Sequence, residues 1–272
     1  MKRSSFTWNE YTISFIEVGQ GESILFLHAF PFNALMWEPQ FKELSKSYHL
    51  LAVDLPGLGQ STPIPDTLTM DLGADVAAAL LDHCHISSAT ICGLSMGGYT
   101  ALAFAEHYPE YLESLVLADT HAAADSPEKK QQRQHLIKQI NNQGPASFFK
   151  EFIPSIVGTN TKKNHPETIS YIQSLLDMAN INAIASALQG MAKRPDRFSV
   201  LQHLSVPVLV IVGEEDGLTP PSNAKHMADA SSLAKLAVIP NTGHMSNLEN
   251  PQQFNAALHT FLAQKEKEKK GI

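Results

Sequence analysis

Short, uninterrupted hydrophobic runs recur along the chain and predict strands. They occur at residues 23–27, 49–54, 89–92, 115–119, 207–213 and 236–239. Continuous runs of this length are typical of strands that are buried on both faces of a parallel sheet. Residues 11–18 instead alternate between polar and hydrophobic side chains, which predicts an antiparallel strand early in the sheet.

Segments of helical length separate these runs, notably residues 69–83 and 96–107. Strands that alternate with helices predict an α/β fold, in which helices flank a mainly parallel central sheet. In such a sheet the loops at the carboxyl ends of the strands carry the functional residues. Residues that directly follow the predicted strands are therefore the candidates for chemistry.

The connection between the predicted strands at residues 115–119 and 207–213 is much longer than a parallel sheet requires. A crossover between parallel strands needs about a dozen residues, so we predict that residues 121–205 form an inserted helical cap. Residues 1–120 and 206–272 then form the core domain. Hydrophobic side chains fall on helical faces within the insertion, namely Phe148, Phe152 and Ile156 on one face and Ile181, Ile184, Leu188 and Met191 on another. A cap of this kind would exclude water and shape a pocket.

Composition excludes several classes of protein. The chain has 272 residues, 43% of them hydrophobic, and a net charge of −7. That charge provides no basic surface for nucleic acid, and no segment approaches the roughly 18 apolar residues of a membrane helix or forms an apolar leader. Two cysteines, Cys84 and Cys92, do not suggest a disulfide framework. We therefore expect a cytoplasmic protein that binds neither nucleic acid nor membranes, with an oligomeric state that the pattern does not reveal.

The segment Gly93-Leu94-Ser95-Met96-Gly97 lies between a predicted buried strand and a predicted helix. A sharp turn at this point would hold Ser95 at unfavourable dihedral angles and push its hydroxyl clear of the sheet. Gly93 and Gly97 fit such a turn because it crowds the backbone against its neighbours. Ser95 is therefore the candidate nucleophile.

A nucleophilic serine needs a base that takes its proton and an acid that orients the base. His244 follows the last predicted strand, and Asp216 lies in the turn after residues 207–213. The predicted triad is therefore Ser95, His244 and Asp216, in the chain order serine, acid, histidine. Asp119, which follows an earlier strand, is the alternative acid.

With these motifs in place, the chain resembles the α/β-hydrolase superfamily over nearly its whole length. The matching segments are residues 27–31, 54–61, 93–97, 213–220 and 243–244 with 249–251. Residues 28–31, residues 36–40 and Met96 resemble the branch that holds 3-oxoadipate enol-lactonases, small esterases and cofactor-free haloperoxidase or perhydrolase relatives. The chain departs from the family at Ala29, where a glycine usually follows the histidine.

The resemblance implies an oxyanion hole formed by the backbone N–H groups of Phe30 and Met96, whose side chains would line the acyl pocket. It also gives His28 a supporting role, in which it hydrogen-bonds neighbouring loops. In the enol-lactonase relatives cap residues hold the substrate carboxylate, and Arg133 is the candidate for that role here. The alternative is that Arg133 lies on a solvated helix face with Lys129 and Lys130.

The predicted function is that of a serine hydrolase that cleaves a small carboxylic ester or lactone through an acyl-enzyme. It needs no cofactor, and no group of residues has the spacing of metal ligands. The same triad could serve perhydrolysis, thioester cleavage or carbon–carbon bond hydrolysis. A non-enzymatic alternative is a ligand-binding receptor that retains the triad. The lysine-rich tail, residues 265–270, is predicted to be a solvated helix end.

Overall fold

The computed structural model describes residues 2–65 and 67–270, in which eight strands form one sheet of order β1-β2-β4-β3-β5-β6-β7-β8. β1 pairs with β2 and β2 with β4 in antiparallel fashion, and the remaining neighbours are parallel. This architecture confirms the prediction of a mainly parallel α/β sheet. The strands are β1 Lys2–Trp8, β2 Tyr11–Val18, β3 Ser23–Leu27, β4 His49–Val53, β5 Ala89–Leu94, β6 Leu112–Ala118, β7 Val208–Gly213 and β8 Ala234–Ile239.

Helices flank this sheet, and two 3-10 turns occur at Ala34–Trp37 and Pro109–Tyr111. The helices are α1 Glu38–Leu44, α2 Met70–His83, α3 Met96–His107, α4 Pro127–Gln143, α5 Pro145–Ile156, α6 Thr159–Asn164, α7 Pro166–Leu176, α8 Ile181–Lys193, α9 Phe198–His203, α10 Pro221–Asp229, α11 Ser246–Glu249 and α12 Pro251–Lys270. Every residue of β5 and β7 is buried, so both strands lie within the core. Among the described helices, none has the length and apolar character that a membrane span requires.

Five helices, α4 to α8, lie where the helical insertion is predicted. α4 packs against α5 and α8, and α5 packs against α7. The predicted apolar faces point inward, because Phe148, Ile156, Ile184 and Leu188 are buried. α9 also falls within residues 121–205 but packs against α3 of the sheet layer. The division of the chain into a core and a cap at these residues stays a prediction.

The carboxyl-terminal helix departs from the expectation of a solvated end. Lys265 is only 6% exposed, and its Nζ lies 2.9 Å from Glu22 and 3.4 Å from Glu113. It shares a helical face with Phe254, Leu258, Phe261 and Leu262, which are buried, so its aliphatic stem extends along the core. The prediction is wrong for Lys265, and the side chains of residues 268–270 lie outside the described part of the chain.

Candidate active site

Ser95 occupies the turn between β5 and α3 and has φ +56° and ψ −114°. A non-glycine residue in such a conformation is strained by about 1–3 kcal/mol, so its neighbours must hold it. Its N–H donates to the carbonyl of Ala118 at 2.9 Å, and its carbonyl accepts from Thr120 Oγ1 at 2.8 Å. The next parallel strand and its loop therefore fix the backbone on which the candidate nucleophile sits.

The two glycines of the motif are required by close packing. A Cβ on Gly93 would overlap the carbonyl oxygen of Gly97, and a Cβ on Gly97 would overlap the carbonyl oxygen of Leu27. The strand, the turn and the helix thus approach each other at distances that exclude any side chain. Gly93 and Gly97 lie where the sequence predicts structural support.

The three candidate triad residues lie in one hydrogen-bonded chain. His244 Nε2 is 2.8 Å from Ser95 Oγ, and His244 Nδ1 is 2.8 Å from Asp216 Oδ2. His244 and Asp216 are both buried, at 4% and 3% exposure, so water does not compete for these contacts. Three loops at the carboxyl edge of the sheet bring together residues that are far apart in the sequence.

Thr219 is a partner that the sequence reasoning missed. Its Oγ1 donates to Asp216 Oδ2 at 2.6 Å, while the N–H groups of Leu218 and Thr219 donate to Asp216 Oδ1 at 2.8 and 3.0 Å. Burial raises the pKa of Asp216, but His244 and the Thr219 donors outweigh it, and the pKa lies below its ordinary value. In a known local pattern, an aspartate carboxylate accepts hydrogen bonds from residues two and three positions further along a turn. The sequence after Asp216 is compatible with this pattern, which could have indicated Thr219 as a partner.

Asp119, the alternative acid, is fully buried after β6 but has other partners. Its carboxylate accepts from the Gly213 N–H at 2.8 Å and from the Ser246 hydroxyl. Burial and the nearby charge of Asp216 raise the pKa of Asp119 above its ordinary value. His244 Nδ1 is bonded to Asp216 instead, so the geometry favours Asp216 as the acid that orients the histidine.

The electrostatic surroundings of His244 favour its protonated form. Burial alone would lower the pKa of His244, but the carboxylates of Asp216, Asp119 and Glu249 raise it above the ordinary value. A base with this setting accepts a proton readily and is stabilised as an imidazolium.

Phe30 and Met96 carry the two backbone N–H groups of the predicted oxyanion hole: Met96 directly follows Ser95 in the chain, and Phe30 lines the same cavity as Ser95. Met96 is the first residue of α3, where N–H groups lack partners within the helix. Among the hydrogen bonds of the described residues, none has the N–H of Phe30 or Met96 as its donor. Both amides are therefore without a protein acceptor among the described residues, and their role as an oxyanion hole stays a prediction.

His28 supports the loop that carries Phe30. Its Nε2 accepts from the Leu55 N–H at 3.0 Å, so the proton sits on Nδ1, which donates to the Ala29 carbonyl at 2.9 Å. Burial lowers the pKa of His28, which keeps the ring neutral. Ala29 has no positive φ, and the loop therefore accepts an alanine where relatives carry glycine.

A cavity of about 230 Å³ opens onto Ser95 and His244 and extends beneath the helices α4, α5 and α8. Phe30 lines it together with Phe148 and Phe152, whose ring centroids each lie 6.3 Å from that of Phe30. The side chain of Met96 does not line it, contrary to the prediction. Met96 is fully buried in the hydrophobic core, which leaves only its backbone N–H for a role in the site.

Part of the cavity lining is cationic, since Lys129 and Arg133 belong to it. Arg133 lines it, and its Nε donates to Asp125 Oδ2 at 2.5 Å, while Arg194 donates to Asp125 Oδ1 at 2.6 Å. Arg194 also lies 3.1 Å from His121 Nε2. Since a guanidinium only donates, His121 accepts there and carries its proton on Nδ1. Burial and Arg194 lower the pKa of His121 to about 4.

Arg133 is therefore part of a partly buried ion cluster, whereas Lys129 and Lys130 are exposed on the same helix. The expectation of a solvated face holds for Lys130 and fails for Arg133, because Asp125 on the preceding loop draws its guanidinium inward. Lys129 is exposed but also lines the cavity. Sequence reasoning did not find Asp125 or Arg194, since their pairing depends on how α4 and α8 pack together.

Comparison with known proteins now fixes the family. A model of the alpha/beta hydrolase family matches residues 24–257. This chain is an α/β hydrolase. It is 28% identical over 265 residues to 3-oxoadipate enol-lactonase 2 of Acinetobacter baylyi, with 96% of each chain covered. Its fold is similar to that of a thermophilic esterase from Thermogutta terrifontis, with a TM-score of 0.93, 35% identity, and coverage of 97% of this chain and 99% of that one.

A bromoperoxidase from Bacillus anthracis also shares the α/β-hydrolase fold, with a TM-score of 0.87, 20% identity, and coverage of 96% of this chain and 100% of that one. The enol-lactonase and the esterase are two of the three kinds of protein that the sequence resemblance names, and the predicted branch is confirmed. Membership in this family supports hydrolase chemistry.

The described side chains of this α/β hydrolase that could hold a metal ion lie away from Ser95. Asp71, Glu106 and His107 place one ligand atom each within 4.8 Å of one another on the outer surface. Arg197 donates to Asp71 and, at 2.8 Å, to Glu106. A guanidinium thus already satisfies two of these three groups, and the cluster is an ion-pair network.

Proposed function

We propose that this α/β hydrolase cleaves a small carboxylic ester or lactone through an acyl-enzyme formed on Ser95. The observation that supports this proposal is the chain of 2.8 Å contacts from Ser95 through His244 to Asp216, open to the cavity at its serine end. In the proposed reaction His244 Nε2 takes the Ser95 proton as Oγ attacks the carbonyl carbon. Asp216 holds the proton on Nδ1 and stabilises the imidazolium.

The N–H groups of Phe30 and Met96 are proposed to bind the oxyanion of the tetrahedral intermediate. One such donor is worth about 10²- to 10³-fold in turnover. The bond between the carbonyl carbon and the ester oxygen then breaks as His244 gives its proton to that oxygen, which leaves an acyl ester on Ser95. The alcohol departs from an open-chain ester, whereas in a lactone it stays attached to the acyl chain as the ring opens. In the second half of the reaction His244 activates a water molecule that hydrolyses this ester, and no cofactor is required.

The size and lining of the cavity support a small substrate. Its volume of about 230 Å³ is below the roughly 300–1,000 Å³ of most ligand pockets. Phe30, Phe148 and Phe152 line the cavity together with Arg133. We propose that Arg133 binds an oxygen of the substrate, in keeping with the enol-lactonase and esterase names of the relatives.

The test compares the parent protein with Ser95→Ala on libraries of esters, lactones and thioesters. We expect turnover to fall by more than about 10³-fold, because no other group in the triad can form the acyl bond. Ser155→Ala is the matched control, since Ser155 lines the same cavity and its hydroxyl binds only the Phe152 carbonyl among the described contacts.

A fluorophosphonate probe should label Ser95 in the parent and in the control, and should not label Ser95→Ala. Full activity in Ser95→Ala would refute the mechanism. Slow single turnover of every ester, with recruitment of a partner protein, would instead support the receptor alternative. Preferred cleavage of thioesters would redirect the substrate class while leaving the mechanism in place.

A further inference from the structure

The carboxylate of Glu249 accepts four hydrogen bonds from two separate parts of the chain. Oε1 accepts from the N–H groups of Gly243 and Met245 at 2.9 and 3.2 Å. Oε2 accepts from the Gly158 N–H and from Thr161 Oγ1, both at 2.7 Å. Gly243 and Met245 flank His244 directly, whereas Gly158 and Thr161 belong to the junction of α5 and α6. One side chain therefore joins both neighbours of His244 to the helical layer above the site.

The same two segments also touch through their backbones. The His244 N–H donates to the carbonyl of Ile156 at 2.9 Å. A Cβ on Gly158 would press against the Gly243 nitrogen, and a Cβ on Gly243 would press against the Gly158 nitrogen and Val157. No side chain separates the α5–α6 junction from the His244 loop, so a displacement of one moves the other.

The hydrogen-bond partners of Glu249 indicate whether its carboxylate is ionised. Burial raises the pKa of Glu249 above its ordinary value, and the Thr161 hydroxyl and the three backbone N–H groups limit that shift. Backbone N–H groups can only donate, and they reach both oxygens, so the arrangement requires an acceptor on each side. An ionised carboxylate meets this requirement and binds its donors more strongly than a neutral amide would.

We infer that Glu249 is a positioning residue that holds the His244 imidazole within reach of Ser95 and fixes the α5–α6 junction to the same loop. This inference rests on the proposed function. A base that transfers a proton must lie within hydrogen-bonding distance of the nucleophile, and a misplacement of about 1 Å costs about 10²-fold in rate. The four bonds of Glu249 restrain the backbone on either side of that base.

Glu249 also contributes charge to the site. Three carboxylates face His244, from the loop after β7 (Asp216), from the loop after β6 (Asp119) and from α11 (Glu249), and all three raise its pKa. The other groups in contact with the ring, Ser95 and Thr219, are neutral hydroxyls. Loss of the Glu249 charge should therefore lower the pKa of His244, which a purely structural role would not predict.

The experiment uses three variants of the full-length protein, Glu249→Gln, Thr161→Val and Glu167→Gln. Glu249→Gln removes the charge and leaves an acceptor for only one of the two segments. We expect kcat to fall about 10- to 100-fold with KM changed less than about threefold. The acid limb of the kcat/KM profile should move to lower pH, and fluorophosphonate labelling of Ser95 should slow in parallel with kcat.

Thr161→Val removes only the hydroxyl bond to the helical layer and keeps the charge. Its kcat should fall about 3- to 10-fold, with the acid limb at the parental pH and an unfolding midpoint close to that of the parent. Glu167→Gln alters an exposed carboxylate whose described partner is His165 on the same helix end. This control should behave as the parent does.

Parental kcat and a parental acid limb in Glu249→Gln would overturn the inference. If Glu249→Gln does not fold, the kcat of Thr161→Val becomes the test. A kcat equal to that of the parent in Thr161→Val would also overturn the inference. The proposed function fails separately, through a parent protein whose activity does not depend on Ser95. An active parent with unaffected variants refutes only the role of Glu249.

Discussion

The hydroxyl of Ser95 meets His244 because each residue of the triad lies in the turn or loop that follows a parallel strand. This arrangement could be predicted from the sequence, since the ends of parallel strands share one edge and the motif around Ser95 marks the turn. The partners of the triad could not be predicted in the same way. Thr219 and Glu249 act through loop backbone geometry, and Arg133 changes from a surface residue to a buried one because Asp125 lies beside it.

The choice of acid can be tested at Asp216 and Asp119. Asp216→Asn should lower kcat by about 10⁴-fold, because an amide beside His244 Nδ1 no longer fixes the proton there. Asp119→Asn keeps the shape of a group whose described partners are Gly213 and Ser246, and it should lower kcat by less than about tenfold. Steady-state kinetics on one ester gives the kcat of both variants. A larger loss of kcat in Asp119→Asn than in Asp216→Asn would assign the orienting role to Asp119.

We expect the protonation of His244 to determine the pH dependence of the reaction. Its pKa lies above the ordinary 6.5 because three carboxylates outweigh the effect of burial. Only the neutral imidazole accepts the Ser95 proton, so kcat/KM should fall as the pH decreases through this raised pKa and stay level above it. A pH–rate profile of a neutral ester measures this limb, and a limb below 6.5 would contradict the assignment.

At the scale of elements, the turn from β5 to α3 depends on close contact between backbone atoms.

The positions of the strands follow from the hydrophobic runs, and α3 spans the predicted residues 96–107. The edge strand β8 is longer than its apolar run predicts, since it begins at Ala234 and leaves Leu236 and Val238 exposed. The limits of the helices α4 to α8 could not be predicted, because their apolar faces indicate helices without fixing how these pack.

Gly97→Ala tests the contact within this turn. The added methyl would overlap the Leu27 carbonyl, which belongs to β3 and cannot move without disturbing the sheet. We expect the free energy of unfolding to fall by about 2 kcal/mol or more. Gly217→Ala is the matched control, because a Cβ at Gly217 meets no atom within 4 Å, and it should change stability by less than about 0.5 kcal/mol. Chemical denaturation of both variants provides the comparison.

At the scale of the whole molecule, the two edges of the sheet have different roles. The carboxyl edge carries the site, and the amino edge carries the ion pairs of Lys265 with Glu22, just before β3, and Glu113, early in β6. These pairs tie α12 to two strands at the end opposite Ser95. Stability and catalysis are therefore separable across the sheet.

Lys265→Met should demonstrate this separation. It keeps most of the buried stem but leaves two carboxylates without their shared cation, at a cost of about 1–3 kcal/mol in the free energy of unfolding. The kcat at 25 °C should equal that of the parent. Lys267→Met, at an exposed position on the same helix, is the control for charge. A Lys265→Met protein of unchanged stability would show that water replaces the ammonium group without cost.

The contact between Gly158 and Gly243 has a consequence for chimeric enzymes. Transplanting residues 121–205 from a relative would be expected to transfer substrate preference, because these residues line most of the cavity. A donor with any side chain larger than hydrogen at position 158 would collide with the backbone next to His244, and a donor without a hydroxyl at 161 would leave Glu249 one partner short. Such hybrids would bind the new substrate and turn it over slowly until glycine and threonine were restored.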